Sequence, residues 1–364
     1  MFNNIFNNRK VIVTGNTGFK GGWLSVWLLK LGAEVYGISK DVPTEPSIFR
    51  ELRLEEKITH YERDIRSHEE MSRIIGEIKP DFLFHLAAQP IVSLSYRNPL
   101  ETITSNVVGT ANILEALRLS NHPCAAVIIT SDKCYDNVEW VWGYRETDHL
   151  GGKDIYSGSK AAAEMIIRSY HQSFFKGSPV RVASARAGNV IGGGDWAVDR
   201  IVPDCMRAWS RNETVEIRSP EATRPWQHVL EPLSGYLALA AKLASGEPLC
   251  GESFNFGPKA EQNHTVRKLI DDMSAYWKFA AGQQPYRATA NSSFAEAGLL
   301  KLNCDKALQR LSWLPSLEYG QMIEYVSSWY YAFYKGNEDM YGLTLNQIAA
   351  YEKTAADKGA AWTR

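Results

Sequence analysis

The chain is short of cysteine, has no excess charge of either sign and contains no long apolar run. Its five cysteines, Cys124, Cys134, Cys205, Cys250 and Cys304, are odd in number, far apart and without a C-x-x-C pair. That spacing excludes a disulfide framework and a clustered zinc site, and it fits a reducing compartment. Forty Lys and Arg against 41 Asp and Glu leave a net charge of -1, so no basic surface awaits a nucleic-acid backbone. No segment approaches the roughly 18 apolar residues of a membrane helix, and residues 1–10 are polar, Asn-rich and lack the apolar stretch of a signal peptide. The expectation is a soluble, cytoplasmic protein with neither nucleic acid nor membrane as partner.

What is present is ordinary globular composition, 45% hydrophobic and 22% charged, enough to bury a large core. At 364 residues the chain is about twice the usual single-domain length, which predicts two lobes. Eleven tryptophans stand out. Trp23 and Trp27 read as helix packing, while Trp196 and Trp226 fall in later motifs and are expected to shape a cleft.

Strand and helix patterns alternate through the first half. Apolar, β-branched runs at 11–15, 33–38, 81–88, 125–131 and 180–185 read as strands, and 67–78, 99–119 and 158–174 as helices. This rhythm predicts an α/β fold, a Rossmann-type doubly wound parallel sheet. After about residue 187 Gly192, Gly193 and Gly194 interrupt it, although 232–243 and 253–257 resume it. The expected division is a dinucleotide-binding body at 1–188 and 226–258, a smaller, discontinuous α+β substrate lobe at 189–225 and 259–350, and a tail at 351–364.

Between the first strand and its helix lies Thr14-Gly15-Asn16-Thr17-Gly18-Phe19-Lys20-Gly21. Glycines there permit a tight turn and let backbone N–H groups of Gly15, Asn16, Thr17, Gly18, Phe19 and Gly21 approach a pyrophosphate. No Gly-Lys-Ser/Thr follows, which excludes a Walker A loop. The second strand ends Ile38-Ser39-Lys40-Asp41. Asp41 or Ser39 can take the ribose hydroxyls, whereas Lys40 would suit a phosphate; NAD is expected over NADP. Asp64 and Ile65, after a third strand, suit an adenine edge.

Tyr156 and Lys160 stand four apart, which on a helix puts phenol and ammonium on one face. The cation is expected to lower the phenol pKa so that Tyr156 can take a substrate hydroxyl proton as hydride leaves. None of the eight histidines shows metal-ligand spacing.

Through the glycine loop, His85-Leu86-Ala87-Ala88-Gln89, Asn106-Val107-Val108-Gly109-Thr110 and Tyr156 with Lys160, the chain resembles the extended short-chain dehydrogenase/reductase family. The resemblance implies that Ala87, Ala88, Gln89, Asn106, Tyr156 and Lys160 lie at the cofactor, and that Ser131 helps Tyr156 hold the substrate. Ser131-Asp132-Lys133 then looks like the acid and base of a nucleotide-sugar 4,6-dehydratase, in which Lys133 stands where most members have Glu. The stretches Cys134-Tyr135-Asp136-Asn137, Trp140-Val141-Trp142-Gly143-Tyr144, 186–196 and Arg224-Pro225-Trp226-Gln227-His228 strengthen the likeness. It implies CDP-glucose as substrate, with Asn189 and Arg224 at its diphosphate. Arg200 and Arg207 are further phosphate candidates, and His228 is a candidate substrate-binding residue, with a hydrogen-bonding or core role favoured over metal ligation. It also implies a homodimer through the helices carrying Asn106 and Tyr156. A lysine base must be neutral and an aspartate acid protonated, against reference values of about 10.4 and about 3.9. Asp132 and Lys133 are therefore expected to titrate as a coupled pair.

Overall fold

The computed structural model describes residues 1–280, 282–289, 299–336 and 339–364. Its strands are β1 (Lys10–Thr14), β2 (Glu34–Ser39), β3 (Thr59–Glu62), β4 (Phe82–His85), β5 (Cys124–Ile129), β6 (Val180–Arg186), β7 (Val190–Ile191), β8 (Val215–Ile217), β9 (Thr223–Arg224), β10 (Gln227–His228), β11 (Ser253–Asn255), β12 (His264–Thr265) and β13 (Tyr286–Ala288). Seven of them form one sheet in the order β11-β6-β5-β4-β1-β2-β3, with every neighbouring pair parallel. The expected doubly wound sheet is what the chain forms.

Parallel strands covered on both faces need continuous apolar runs. All six residues of β5 are buried, as are Val11, Ile12 and Val13 of β1. The order reverses between β1 and β4, so the carboxyl ends of these strands open a crevice where ligands of open α/β sheets bind. Thr14, His85, Thr130 to Lys133 and Arg186 to Asn189 all lie at that edge.

The helix Phe19–Lys30 is apolar around most of its circumference because it is covered twice, by the sheet and by the helix Met340–Asp357. Trp27 Nε1 donates to Glu352 Oε1 at 2.9 Å and Lys30 Nζ to Glu352 Oε2 at 2.6 Å. The tail expected at 351–364 is therefore packed structure: Tyr351 is fully buried and Trp362 stacks on Phe2 and Tyr351. Aromatic rings at the chain end bury more apolar surface there than a solvated tail would.

Beyond β6 the small ladders take over. β8 pairs with β13 and β9 with β12, so chain segments about 40 to 70 residues apart share one lobe. The glycine run is a packing seam: a Cβ on Gly193 would lie 2.1 Å from the Trp329 ring. Trp196 packs on Trp329 and Phe333 and is 3% exposed, and Trp226 is likewise buried. Both belong to the core, which corrects the expectation that they shape a cleft; Trp23 and Trp27 pack as expected.

Candidate active site

The glycine loop is built by close approach. Gly15 has φ +75°, and a Cβ on Gly21 would stand 2.1 Å from the Gly15 carbonyl oxygen, so helix and strand meet only through glycine. Around Gly18 a Cβ would meet only the Gly15 carbonyl, at 3.4 Å, and no side chain caps the helix that follows. Its first N–H groups remain available to an anion. Asn16 is fully buried, accepting from Ser39 Oγ at 2.8 Å and contacting His60 Nδ1 at 3.2 Å through Nδ2. Thr17 Oγ1 donates to the Asp41 carbonyl at 2.8 Å, which fixes the loop to the end of β2. The Asp41 carboxylate is exposed, with Lys40 Nζ 3.8 Å away; that ammonium also donates to Glu101. Asp64 is held by Arg66 through a two-pronged ion pair, while Ile65 is buried against Gly109.

Across β4, His85 joins Thr14 at 2.7 Å and Thr110 at 3.2 Å, tying three elements beneath the crevice. Asn106 lies in a π-turn, Thr104–Val108. Its Oδ1 accepts from Gln89 N at 2.8 Å, and its Nδ2 donates to Ser159 Oγ at 2.9 Å and to the Gln89 carbonyl at 3.1 Å. The Ala87-Ala88-Gln89 segment is thereby clamped to the helix that carries Tyr156.

That helix, Ile155–Tyr170, begins at Asp154, whose carboxylate accepts from Ser157 N at 2.9 Å; such a cap contributes about 1 kcal/mol. Tyr156, Lys160 and Glu164 recur at one-turn intervals on its buried face. Glu164 accepts from Thr130 Oγ1 at 2.5 Å, Arg186 Nη2 at 2.7 Å, Ser184 Oγ at 2.8 Å and Ser253 Oγ at 3.1 Å. Arg186 goes on to Tyr135 Oη at 2.7 Å. One carboxylate thus locks the helix Ile155–Tyr170 to β5, β6 and the β11 edge. The Glu164 spacing was visible in the sequence and went unread, because its partners come from strands 20 to 90 residues away.

Two features at this end of the crevice differ from the expectation. Burial pushes the Tyr156 phenol up to about 12, against the opposing pull of its bond to Ser131 and of the Arg200 charge. Burial also pushes Lys160 down to about 8. Removing a phenolate from water costs more than the Ser131 hydrogen bond and the Arg200 charge return. Nor are Asp132 and Lys133 side by side. Asp132 is buried, accepts from Ser131 Oγ at 3.0 Å and fills the space over Gly188, where a Cβ would be 1.8 Å from its Oδ2. Lys133 is exposed, and among the described residues no ion pair joins the two. The short helical turn Asp132–Cys134 sends adjacent side chains in different directions.

On the substrate side, Asn189 has φ +53° and its carbonyl accepts from Gln227 N at 3.1 Å. Arg200 pairs with Asp195 at 2.8 Å, and its positive charge opposes the burial that raises the Tyr156 phenol. Arg224 Nη1 donates to the Thr223 carbonyl at 2.9 Å. Arg207 donates to the Trp196 carbonyl at 2.7 Å and pairs with Asp204, a corner brace of the lobe. His228 is 1% exposed, edge-on to Trp23 and Tyr325, and burial drives it down to about 3. It is a neutral core histidine, which removes it from the substrate side.

Residues 12–326 match the family described as GDP-mannose 4,6 dehydratase. The CDP-glucose 4,6-dehydratase of Salmonella typhimurium is 44% identical over 353 residues, covering 96% of this chain and 97% of that protein. The CDP-paratose 2-epimerase of Salmonella typhi is 26% identical, covering 73% of this chain and 84% of that protein. Among solved structures, dTDP-glucose 4,6-dehydratase of Bacillus anthracis, in complex with NAD, superposes with TM-score 0.73 at 18% identity, covering 89% of this chain and 97% of that one. UDP-glucose 4-epimerase of Thermotoga maritima gives 0.74 at 22% identity, covering 88% and 97%. The chain is therefore a member of the GDP-mannose 4,6-dehydratase family.

Proposed function

We propose that this chain converts CDP-D-glucose to CDP-4-dehydro-6-deoxy-D-glucose and water, with NAD as a tightly held cofactor. The observation that carries the reading is the gathering of a hydroxyl, a buried carboxylate and a phenol, Ser131, Asp132 and Tyr156, at the carboxyl end of β5. A simple epimerase has no use for the carboxylate. The choice of CDP is supported by the 44% identical relative of that name.

The uncapped helix start and the open space at Gly18 fit a dinucleotide pyrophosphate. Gly15, Asn16, Thr17, Gly18, Phe19 and Gly21 would hold it, with Ser39 and Asp41 at a ribose, Asp64 and Ile65 at the adenine, and Ala87, Ala88, Gln89, Asn106, Tyr156 and Lys160 at the nicotinamide half. When bound, NAD supplies a reversible store for one hydride. As phenolate, the form that Ser131 and Arg200 favour against burial, Tyr156 Oη takes the proton of the hydroxyl at sugar carbon 4. The ketone so formed acidifies the hydrogen on carbon 5, which Lys133 removes. Asp132 protonates the departing hydroxyl on carbon 6. Asn189 and Arg224 hold the diphosphate; a guanidinium forks onto phosphate oxygens.

The substrate lobe comprises 189–225 and 259 up to the helix Met340–Asp357, which packs on the helix Phe19–Lys30 of the cofactor body at 1–188 and 226–258. Leu100 and Met165, 75% and 61% exposed on the helices beside Asn106 and Tyr156, support a homodimer through that face; a monomer in sedimentation would refute it. Among the described residues no helix is long and apolar enough to cross a membrane. A cytoplasmic enzyme making a deoxysugar for surface polysaccharide, such as O-antigen, completes the reading.

The test is to incubate purified protein with CDP-, dTDP-, GDP- and UDP-glucose and follow the alkali-induced absorbance of a 4-keto sugar. CDP-glucose should give it fastest. Lys133→Ala should accumulate reduced cofactor without elimination, and normal turnover in that variant would remove Lys133 from the mechanism.

A further inference from the structure

Asn16, inside the glycine loop, has no exposed surface, so both ends of its amide must find partners within the protein. Its Oδ1 accepts from Ser39 Oγ at 2.8 Å, at the end of β2. Its Nδ2 meets His60 Nδ1 at 3.2 Å, on β3. Room for the amide is left by Gly37, the residue of β2 paired with His60, where a Cβ would stand 2.4 Å from Asn16 Cγ and Nδ2. Thr17 N donates to the same Ser39 hydroxyl at 3.4 Å. A chain of hydrogen bonds therefore runs from His60 on β3, through Asn16 and Ser39, to the backbone of the cofactor loop at Thr17.

An amide nitrogen can only donate, so His60 Nδ1 accepts and the neutral ring carries its hydrogen on Nε2. The ring packs on Phe49 of the helix Ile48–Glu51, with centroids 5.0 Å apart. The charges that act on it are Glu62 on its own strand and Glu55 in the turn Leu54–Glu56, while β2 faces it with the Gly37 backbone. All three favour the imidazolium, yet burial outweighs them and holds His60 below the ordinary histidine range. The neutral form is the one that the bond from Asn16 requires.

We infer that His60 is a positioning residue for the cofactor: as a neutral imidazole it fixes the Asn16 amide, and with it the turn that receives the NAD pyrophosphate. The inference rests on NAD as the cofactor and is independent of the dehydratase reading. His60 acts through Asn16 and is given no contact with NAD or sugar. Protonation at Nδ1 sets one N–H against another, leaves Asn16 Nδ2 buried without an acceptor and breaks the chain at its first link. The support given to NAD is therefore complete above the His60 titration and lost as pH falls through it.

The test is equilibrium dialysis of the purified enzyme against graded NAD, from about pH 7.5 down to about pH 5.5, which yields a Kd without any turnover. His60→Phe keeps a ring against Phe49 and removes the acceptor, and NAD should bind about tenfold more weakly at neutral pH. His60→Asn places an acceptor near the position of Nδ1 and should stay within about twofold of wild type. Wild-type affinity should fall as pH drops below about 6.5, and that fall should be missing from both variants. In an Asn16→Ala background His60→Phe should cost nothing further, because the two side chains act as one unit. Unchanged affinity in His60→Phe would overturn the inference. So would equal weakening in His60→Phe and His60→Asn, which would mean that ring packing matters and the acceptor does not. Should His60→Phe fail to fold, the acid limb decides: a fall of the same size in wild type and His60→Asn refutes the role. No NAD binding by the wild type would overturn the cofactor assignment and the inference with it. A failure to make keto sugar from any nucleotide sugar would refute the dehydratase reading alone, since the dialysis stands without it.

Discussion

The two sides of the crevice are built on different terms. On the cofactor side, Asn106, His85 and Glu164 each make two or more side-chain hydrogen bonds that cross between elements. Across the crevice, two-residue ladders replace the large sheet. One side is braced by side-chain hydrogen bonds that join neighbouring elements of the large sheet; the other is assembled from short ladders between segments far apart in sequence. Hydride and proton transfers demand near-ångström alignment, whereas a diphosphate can be gripped by groups that adjust.

Three substitutions would break or sharpen this contrast. Tyr156→Phe keeps the buried ring and removes the proton acceptor, and turnover should drop on the order of 1,000-fold with CDP-glucose KM little changed; a loss under tenfold would show that Ser131 carries the proton. Glu164→Gln should leave Arg186 as an uncompensated buried charge and cost about 3 kcal/mol of stability, read from the shift in a urea midpoint. Stability within a few tenths of wild type would mean that the clamp is no clamp. Arg224→Ala should raise KM about tenfold, roughly 1.4 kcal/mol, and leave kcat nearly unchanged. An equal fall in kcat would make the substrate side as preorganised as the other.

Much of this was legible in the sequence, for identifiable reasons. The parallel sheet showed as continuous apolar runs, since burial on both faces permits nothing else at 125–129 or 11–13. Tyr156 and Lys160 were legible because a helix converts spacing into a shared face. Residues whose role depends on distant segments were not. Trp196 and His228 sat inside recognisable motifs but are enclosed by Trp329, Phe333 and Tyr325, more than 90 residues later in the chain. The exposure of Lys133 beside a buried Asp132 is decided by one short helical turn that residue identity does not announce.

The even spacing of Tyr156, Lys160 and Glu164 has a consequence for how such a helix can change over generations. A single inserted or deleted residue between Asp154 and Tyr156 would rotate everything downstream by about 100°. The phenol, the ammonium and the carboxylate that moors them would leave the crevice together, and Met165 or its neighbours would swing inward. This segment can therefore drift by exchange of side chains but not by change of length, while the ladders across the crevice are free to lengthen and shorten as new sugars are tried.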